Sequence, residues 1–354
     1  MVKENIAGIL AAYSFNSFED FTFHPFGAGL IHGTYLVESG DSKYILQEFN
    51  NAVFQFPERI STNQRLVKTQ LDEKLLPFQL PLPLLNSDEK LITGWNGKLF
   101  RLFKFISGQT IQEITSLDQA YLAAKAYGMF AEWGKVVDTK QLQECIPDFH
   151  RLDLRFAKLK EVASERGNLS AEEQGLLAFY LGQHELIAEY KDYQEVLPNR
   201  LTHNDTKINN LIFSHDLQKV EALVDLDTLM SGYLMYDFGD MVRTIACSES
   251  EISGNWDAIK VEIPVFEQLL KGYWEGVKSL CSEEETMSLL LAGEVMTCIM
   301  GLRFLTDHLQ GNIYYKVNYP GQNFHRAKNQ MILLQSLQAN KAELEKIWKS
   351  ITQS

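Results

Sequence analysis

Residues 203–210 read His-Asn-Asp-Thr-Lys-Ile-Asn-Asn. This is H-x-D-x-x-x-x-N, a spacing in which an Asp faces an attacking hydroxyl and an Asn five residues on offers a neutral oxygen to a metal that bridges nucleotide phosphates. Phosphoryl transfer needs that pairing. With eight histidines in the chain and Asp and Asn each near ~5% of residues, the three coincide by chance about 0.02 times per chain. An ordinary Asp/Asn-rich turn is therefore the weaker account. Asp205 is the candidate base and Asn210 the candidate magnesium ligand. Lys207, two residues after Asp205, is placed to neutralise a phosphate in transit.

A second acidic site follows at Val224-Asp225-Leu226-Asp227, where the apolar run 221–224 delivers a carboxylate to a strand end. The offset from Asp205 to Asp225 (225 minus 205) leaves room for one hairpin, which makes Asp225 the second magnesium ligand and Asp227 a cap. The literal Asp237-Phe238-Gly239 starts a helical stretch instead of ending a strand. There Asp237 is expected to cap that helix or to hydrogen-bond the catalytic loop from behind, and Asp240 to pair with Arg243. Upstream, Gly27, Gly29 and Gly33 lie in a turn between two strands, where bare backbone amides can approach phosphate oxygens. No G-x-x-x-x-G-K-[ST] loop is present.

These residues need elements to hold them. Between residues 21 and 105, short β-rich runs separated by turn residues predict an antiparallel sheet, interrupted by one helix over 58–71. After 106–108 the pattern changes to long helix-period segments over 117–136, 152–163, 171–190, 256–277 and 283–305. Within this half, residues 200–226 form a β-like island with His215-Asp216 in a hairpin turn. The reading is α+β: a small β-rich lobe over 1–107 and a larger, mostly helical lobe over 108–354, with no internal repeat.

Composition narrows the function classes. Lys+Arg number 33 and Asp+Glu 46, a formal net charge of −13, which disfavours nucleic acid as a partner. The longest apolar run, 289–305, is interrupted by Glu294 and Arg303, so no membrane span is expected. Residues 1–20 lack the pattern of a signal peptide, which gives a cytoplasmic address. Cys145, Cys247, Cys281 and Cys298 are far apart and read as buried thiols.

Taken together, these features resemble the aminoglycoside phosphotransferase and choline kinase branch of the protein-kinase-like fold, over residues 26–337. Within it the chain is similar to the N-acetylhexosamine 1-kinase subgroup, through 203–210, VDLDT at 224–228, YDFGD at 236–240, GLRFLTD at 301–307 and NFHRA at 323–327. The resemblance implies a bilobal protein-kinase-like fold with ATP and Mg2+ as cofactors. It places the adenine at the lobe connection, near Phe105 and Ile106 to Gly108, the phosphates near Gly27 and Gly29, catalysis at Asp205, and magnesium at Asn210 and Asp225. The acceptor pocket would use Arg303 and Tyr314, with His32 contributing from the glycine-rich turn. Gln47 occupies the third-strand position where a nucleotide-binding basic residue is expected, in keeping with the subgroup's pattern, and the acidic partner on helix 58–71 stays unassigned. The implied activity is transfer of the γ-phosphate to the anomeric hydroxyl of an N-acetylhexosamine by a monomer or weak homodimer. Alternatives are a kinase of choline, homoserine, a ketosamine or an aminoglycoside, and a nucleotide-binding pseudokinase.

Overall fold

Five short β-rich segments pair into one antiparallel sheet: β1 (Thr22–Pro25), β2 (Gly33–Ser39), β3 (Ser42–Phe49), β4 (Thr93–Trp95) and β5 (Lys98–Lys104), in the order β1-β2-β3-β5-β4. The computed structural model describes residues 3–13, 21–27, 32–51, 54–72 and 75–353. Gly29, a proposed phosphate contact, lies outside the described residues. Val37, Leu46, Phe100 and Leu102 turn to one face of the sheet, where Ile6, Ile9 and Leu10 of helix α1 (Lys3–Leu10) close a small core. The register sets Gln47 of β3 directly opposite Arg101 of β5.

Helix α2 (Pro57–Gln70) starts at a proline whose missing N–H costs nothing in the first turn. Its buried residues Ile60, Asn63, Gln64 and Val67 recur every three or four positions and so share one face. That face reaches the helical half, where Asn63 Nδ2 donates to the Leu229 carbonyl at 2.7 Å.

The helical half comprises α3 (Leu117–Trp133), α4 (Leu152–Arg166), α5 (Ala171–Leu181), α6 (His184–Val196), α7 (Leu234–Ile245), α8 (Ile263–Val277), α9 (Glu283–Leu309), α10 (Gln322–Ala339) and α11 (Lys341–Thr352). Between α6 and α7 the island folds as two antiparallel pairs. One is β6 (Arg200–Thr202) with β9 (Met230–Gly232), the other β7 (Leu211–Phe213) with β8 (Val220–Leu223).

Several expectations change, among them the helix expected over 256–277, which begins only at Ile263 after a single tight turn at Trp256–Ala258. The segment 171–190 is two helices, because the chain turns at Gly182 and Gln183, where Gly182 closes α5 and Gln183 flanks α6. The run around 289–305 belongs to a helix of 27 residues that is long and apolar enough to cross a membrane by length and composition, yet 94% of its most apolar window is buried inside the protein. All four cysteines are free, but only Cys145 and Cys298 are buried.

Helices α7 and α9 touch at Gly239, where a Cβ would stand 2.2 Å from the Ala292 carbonyl oxygen, while Phe238 is fully buried. The Asp-Phe-Gly string is thus a helix-packing feature. At the lobe connection, Gly108 has φ +149° and a Cβ there would meet the Phe213 carbonyl oxygen at 2.3 Å. Only glycine lets the connection lie against β7, with Gln109 and Phe213 exchanging backbone hydrogen bonds at 2.8 Å each way.

Candidate active site

Strand β6 ends at Thr202, and the next residues leave the sheet through Asn204, whose φ of +64° turns the chain sharply. Asparagine tolerates that conformation because its side chain can bond locally. Here Asn204 Nδ2 donates to the carbonyls of Thr202 (3.3 Å) and Thr228 (2.9 Å). Beneath the turn, the buried Asp237 accepts from the backbone N–H of His203 at 2.9 Å and of Asn204 at 2.7 Å. Asp237 therefore braces the catalytic loop from behind, the second of its two expected roles. Its carboxyl is pushed up to about 6, first by burial, with His203 opposing. Tyr127 of α3 donates to the Lys207 carbonyl (3.0 Å), and His150 Nε2 reaches the Asn204 carbonyl (3.1 Å).

This scaffold brings Asp205, Lys207 and Asn210 together. Lys207 Nζ lies 2.8 Å from Asp205 Oδ1, and Asn210 Nδ2 donates to both the carbonyl (2.8 Å) and Oδ2 (2.9 Å) of Asp205. Burial alone would raise the Asp205 carboxyl, but the Lys207 ammonium beside it holds it below the usual carboxylate range. Asp205 is therefore ionised and oriented, as a group that accepts a proton must be. With both amide protons of Asn210 committed to Asp205, its oxygen is the atom left for a cation.

Asp225 follows β8 in the left-handed conformation (φ 59°, ψ 53°), a strain of order 1–2 kcal/mol for a residue with a side chain. It is open to the cleft, and among the described residues no cationic side chain pairs with it. Its carboxyl is pushed up to about 7, first by the protein crowding the cleft floor and then by the charges of Asp227 and Asp205. One carboxylate in excess of its cations and one free amide oxygen make a hard, oxygen-only donor set, which suits Mg2+ completed by phosphate and water. Among the described residues no three or more His, Cys, Asp and Glu side chains form a metal cage on their own.

Sequence reasoning missed the residue that occupies the space of the absent third-strand cation. Arg101 of β5 donates to Gln47 Oε1 and closes a two-pronged contact with Asp227, Nη2 to Oδ2 at 2.9 Å. Gln64 of α2, standing where an acidic partner was sought, donates to Asp227 Oδ1 at 3.2 Å. His32 joins the same cluster. The Asn50 N–H donates to its Nδ1 at 2.9 Å, which leaves Nε2–H for Asp227 Oδ2 at 3.2 Å, and its ring packs against both Phe49 and Phe54. Burial would raise the Asp227 carboxyl, but Arg101 first and His32 next hold it far below the usual range. Asp227 is thus the anchor between lobes and not a simple cap. The signal available was Arg101 itself, an arginine inside the apolar strand 99–103.

The other expected residues fall in three places. Gly27 has φ +75° with open space around it. Phe105 and Ile106 are half-buried at the lobe connection, and the Phe105 ring meets Phe26 with centroids 5.9 Å apart. Arg303 and Tyr314 line one cavity of about 280 Å3, with Gln55 and Phe56, just ahead of α2, as neighbours. None of the cavity's lining residues belongs to the catalytic loop, and the two are linked by side-chain contacts. The Arg303 guanidinium lies over the Phe149 ring at 4.7 Å, and His150 holds the carbonyl of Asn204.

The chain is similar in fold to solved structures of several kinases. A spectinomycin phosphotransferase in complex with ADP and spectinomycin superposes with a TM-score of 0.59 at 11% identity, covering 97% of this chain and 99% of that one. A microcompartment-associated aminopropanol kinase gives 0.59 at 16%, with 95% and 98% covered. Choline kinase from Cryptosporidium parvum Iowa II gives 0.57 at 13%, with 98% and 96% covered. These likenesses establish a kinase-like fold. The family model described as APH: Phosphotransferase enzyme family matches residues 22–264, which takes in the sheet, the braced loop and both cleft aspartates. Because that match spans more than half of the 354 residues, the chain belongs to the phosphotransferase enzyme family.

Proposed function

We propose that this phosphotransferase is a Mg-ATP-dependent kinase of a small metabolite hydroxyl, and that its acceptor is the anomeric hydroxyl of an N-acetylated hexosamine. The observation that carries the reading is the Asp205 carboxylate, held between Lys207 and Asn210 on a loop that also faces Asp225. Asp205 orients the acceptor hydroxyl and takes its proton as the new oxygen–phosphorus bond forms and the bond to the departing ADP breaks. Since the transition state is loose, positioning and charge neutralisation carry most of the catalysis, and Lys207 supplies a fixed positive charge beside the reacting oxygen. Asn210 and Asp225 would hold the magnesium, which supplies charge neutralisation for the nucleotide phosphates when bound. Phe105 and Ile106 offer apolar surface to the nucleotide base. The ADP in the spectinomycin phosphotransferase structure supports nucleotide use by this relative of it.

A cavity of about 280 Å3 is at the small end for ligand sites. That volume accommodates a single sugar ring, and Phe56, Tyr314 and Tyr315 give it aromatic walls. Four free cysteines fit a reducing, cytoplasmic address. A panel of sugars and amino alcohols incubated with ATP or GTP and magnesium, read by phosphorus NMR, tests the reading, because it reports turnover and product position together. A sugar 1-phosphate is the expected product. Turnover of choline or an amino alcohol in preference to every sugar would replace the acceptor, and no turnover of any kind would remove the kinase reading.

A further inference from the structure

The acceptor cavity carries a charge opposite to that of the chain. Arg155, Lys158 and Arg303 line it against the single carboxylate of Asp307, in a protein whose formal net charge is −13. Asp307 is already engaged by neutral donors: the backbone N–H groups of Tyr314 (2.8 Å) and Tyr315 (3.0 Å), and Asn323 Nδ2 (2.8 Å).

Two of the cations are unusual. Arg303 is only 9% exposed, and its guanidinium is set against the rings of Phe149, Tyr314 and Tyr315 at 4.7, 5.6 and 5.4 Å. The polar contact it makes is Nη1 to the Met300 sulfur at 3.5 Å, a weak acceptor for a group with five donors. Arg155 bonds to the neutral Asp148 carbonyl at 2.7 Å, and its Nε is buried without a partner. Burial, then the neighbouring Arg303, lower its affinity for its own proton. Among the described residues neither arginine makes an ion pair, whereas Lys158 pairs with Glu161 at the surface (2.9 Å). Two guanidiniums facing one cavity without an anion repel each other and forgo most of their hydrogen bonds, a costly arrangement unless something anionic enters.

We infer that the acceptor bears an anionic group, a carboxylate or a phosphate, which Arg303 and Arg155 receive. This rests on the reading of the cavity as the acceptor site. It narrows the amino sugar to an acidic one and sets aside the cationic acceptors choline and aminoglycoside.

Matched acceptors differing by one acidic group test it. N-acetylglucosamine is compared with the same sugar carrying an O-linked lactate and with its 6-phosphate, and glucose is compared with glucuronic acid. Binding to the full chain is read by calorimetry with ADP and magnesium present, and transfer is read separately as ADP release from Mg-ATP. The acidic member of a pair is expected to bind about tenfold or more tightly than the neutral one, and the carboxylate and phosphate arms identify which acid fits. Arg155→Met should shrink that preference toward one, while Arg155→Lys retains part of it and controls for folding. Equal or tighter binding of every neutral member, or an acid preference untouched in Arg155→Met, overturns the inference, as does the absence of measurable binding by any acid. Transfer to neutral sugars alone sinks the inference and leaves the kinase reading intact. Acid-selective binding without transfer to any acceptor does the reverse.

Discussion

Arg101 of the sheet and Asp227 of the helical lobe meet with Nη2 2.9 Å from Oδ2, and both side chains are almost fully buried. Asp227 is two residues beyond Asp225, so this contact ties the position of a cleft carboxylate to the opposite lobe. Arg101→Met should destabilise the protein by about 3–5 kcal/mol, because it leaves a buried carboxylate without its cation. Urea unfolding at neutral pH reads this directly, and a loss under about 1 kcal/mol would mean that His32 and Gln64 suffice. Because the Asp227 carboxyl is depressed in the fold, its contribution is complete above the ordinary carboxylate range and is lost as pH falls through the lower folded value.

Asp205→Asn should lower kcat by on the order of 10²-fold or more while leaving ATP affinity near normal, since the carboxylate serves the acceptor. A variant with full kcat would show that the loop motif has no catalytic meaning. Lys207→Ala should depress kcat more than it weakens ATP binding, because its charge acts on the phosphoryl group in motion.

Asp225 and Asp237 should separate cleanly. Asp225→Ala should abolish magnesium-dependent nucleotide binding with little change in Tm, as its side chain faces the cleft and relieves no buried partner. Asp237→Ala strips two buried backbone N–H groups of their acceptor, and should cost about 2 kcal/mol or more, with activity falling as the catalytic loop loosens. Magnesium titrations and thermal melts of the two variants side by side decide it; metal dependence lost only at Asp237 would move the metal site.

His150 is fully enclosed, and its imidazole is pushed down to about 3, first by burial and then by Arg303. The unfolded chain takes up a proton near pH 6.5 that the folded one refuses, so stability should fall as pH drops below that value, by up to about 1.4 kcal/mol per pH unit from this residue. His150→Phe should be less stable at pH 7.5, having lost its bond to Asn204, yet show a shallower decline between pH 6.5 and 5. Equal slopes in denaturant titrations of the two proteins would contradict this.

Gly239→Ala should destabilise by about 1–3 kcal/mol or more, despite alanine's better helix propensity. The added methyl meets a backbone oxygen of α9 that cannot rotate away. Chemical denaturation measures the loss, and a gain in stability would show that α7 and α9 can part at no cost.

What the sequence revealed and what it hid follow from how far apart the partners lie. Asp205, Lys207 and Asn210 act within one loop, so their spacing alone carries their relationship, and the strands of the sheet show in their apolar runs. Arg101 and Asp227 lie 126 positions apart, and no local pattern links them. Gln47 looked like a missing cation because the replacement comes from the neighbouring strand, visible only once the register sets Arg101 opposite it. The same holds for Arg155, which reads as a surface residue of α4 until the cavity joins it to Arg303 on α9.

The chemistry is encoded between residues 203 and 227, yet α9, against which its lobe is packed, is complete only at residue 309. A chain growing from its amino end on a ribosome therefore displays the whole catalytic loop while Phe238 and Gly239 still lack the helix they abut. At roughly 5–20 residues per second, the intervening stretch takes several seconds to synthesise. For that interval the sides of α4 and α7 that α9 will cover are bare, and it is then, more than in the finished fold, that the nascent protein is open to aggregation.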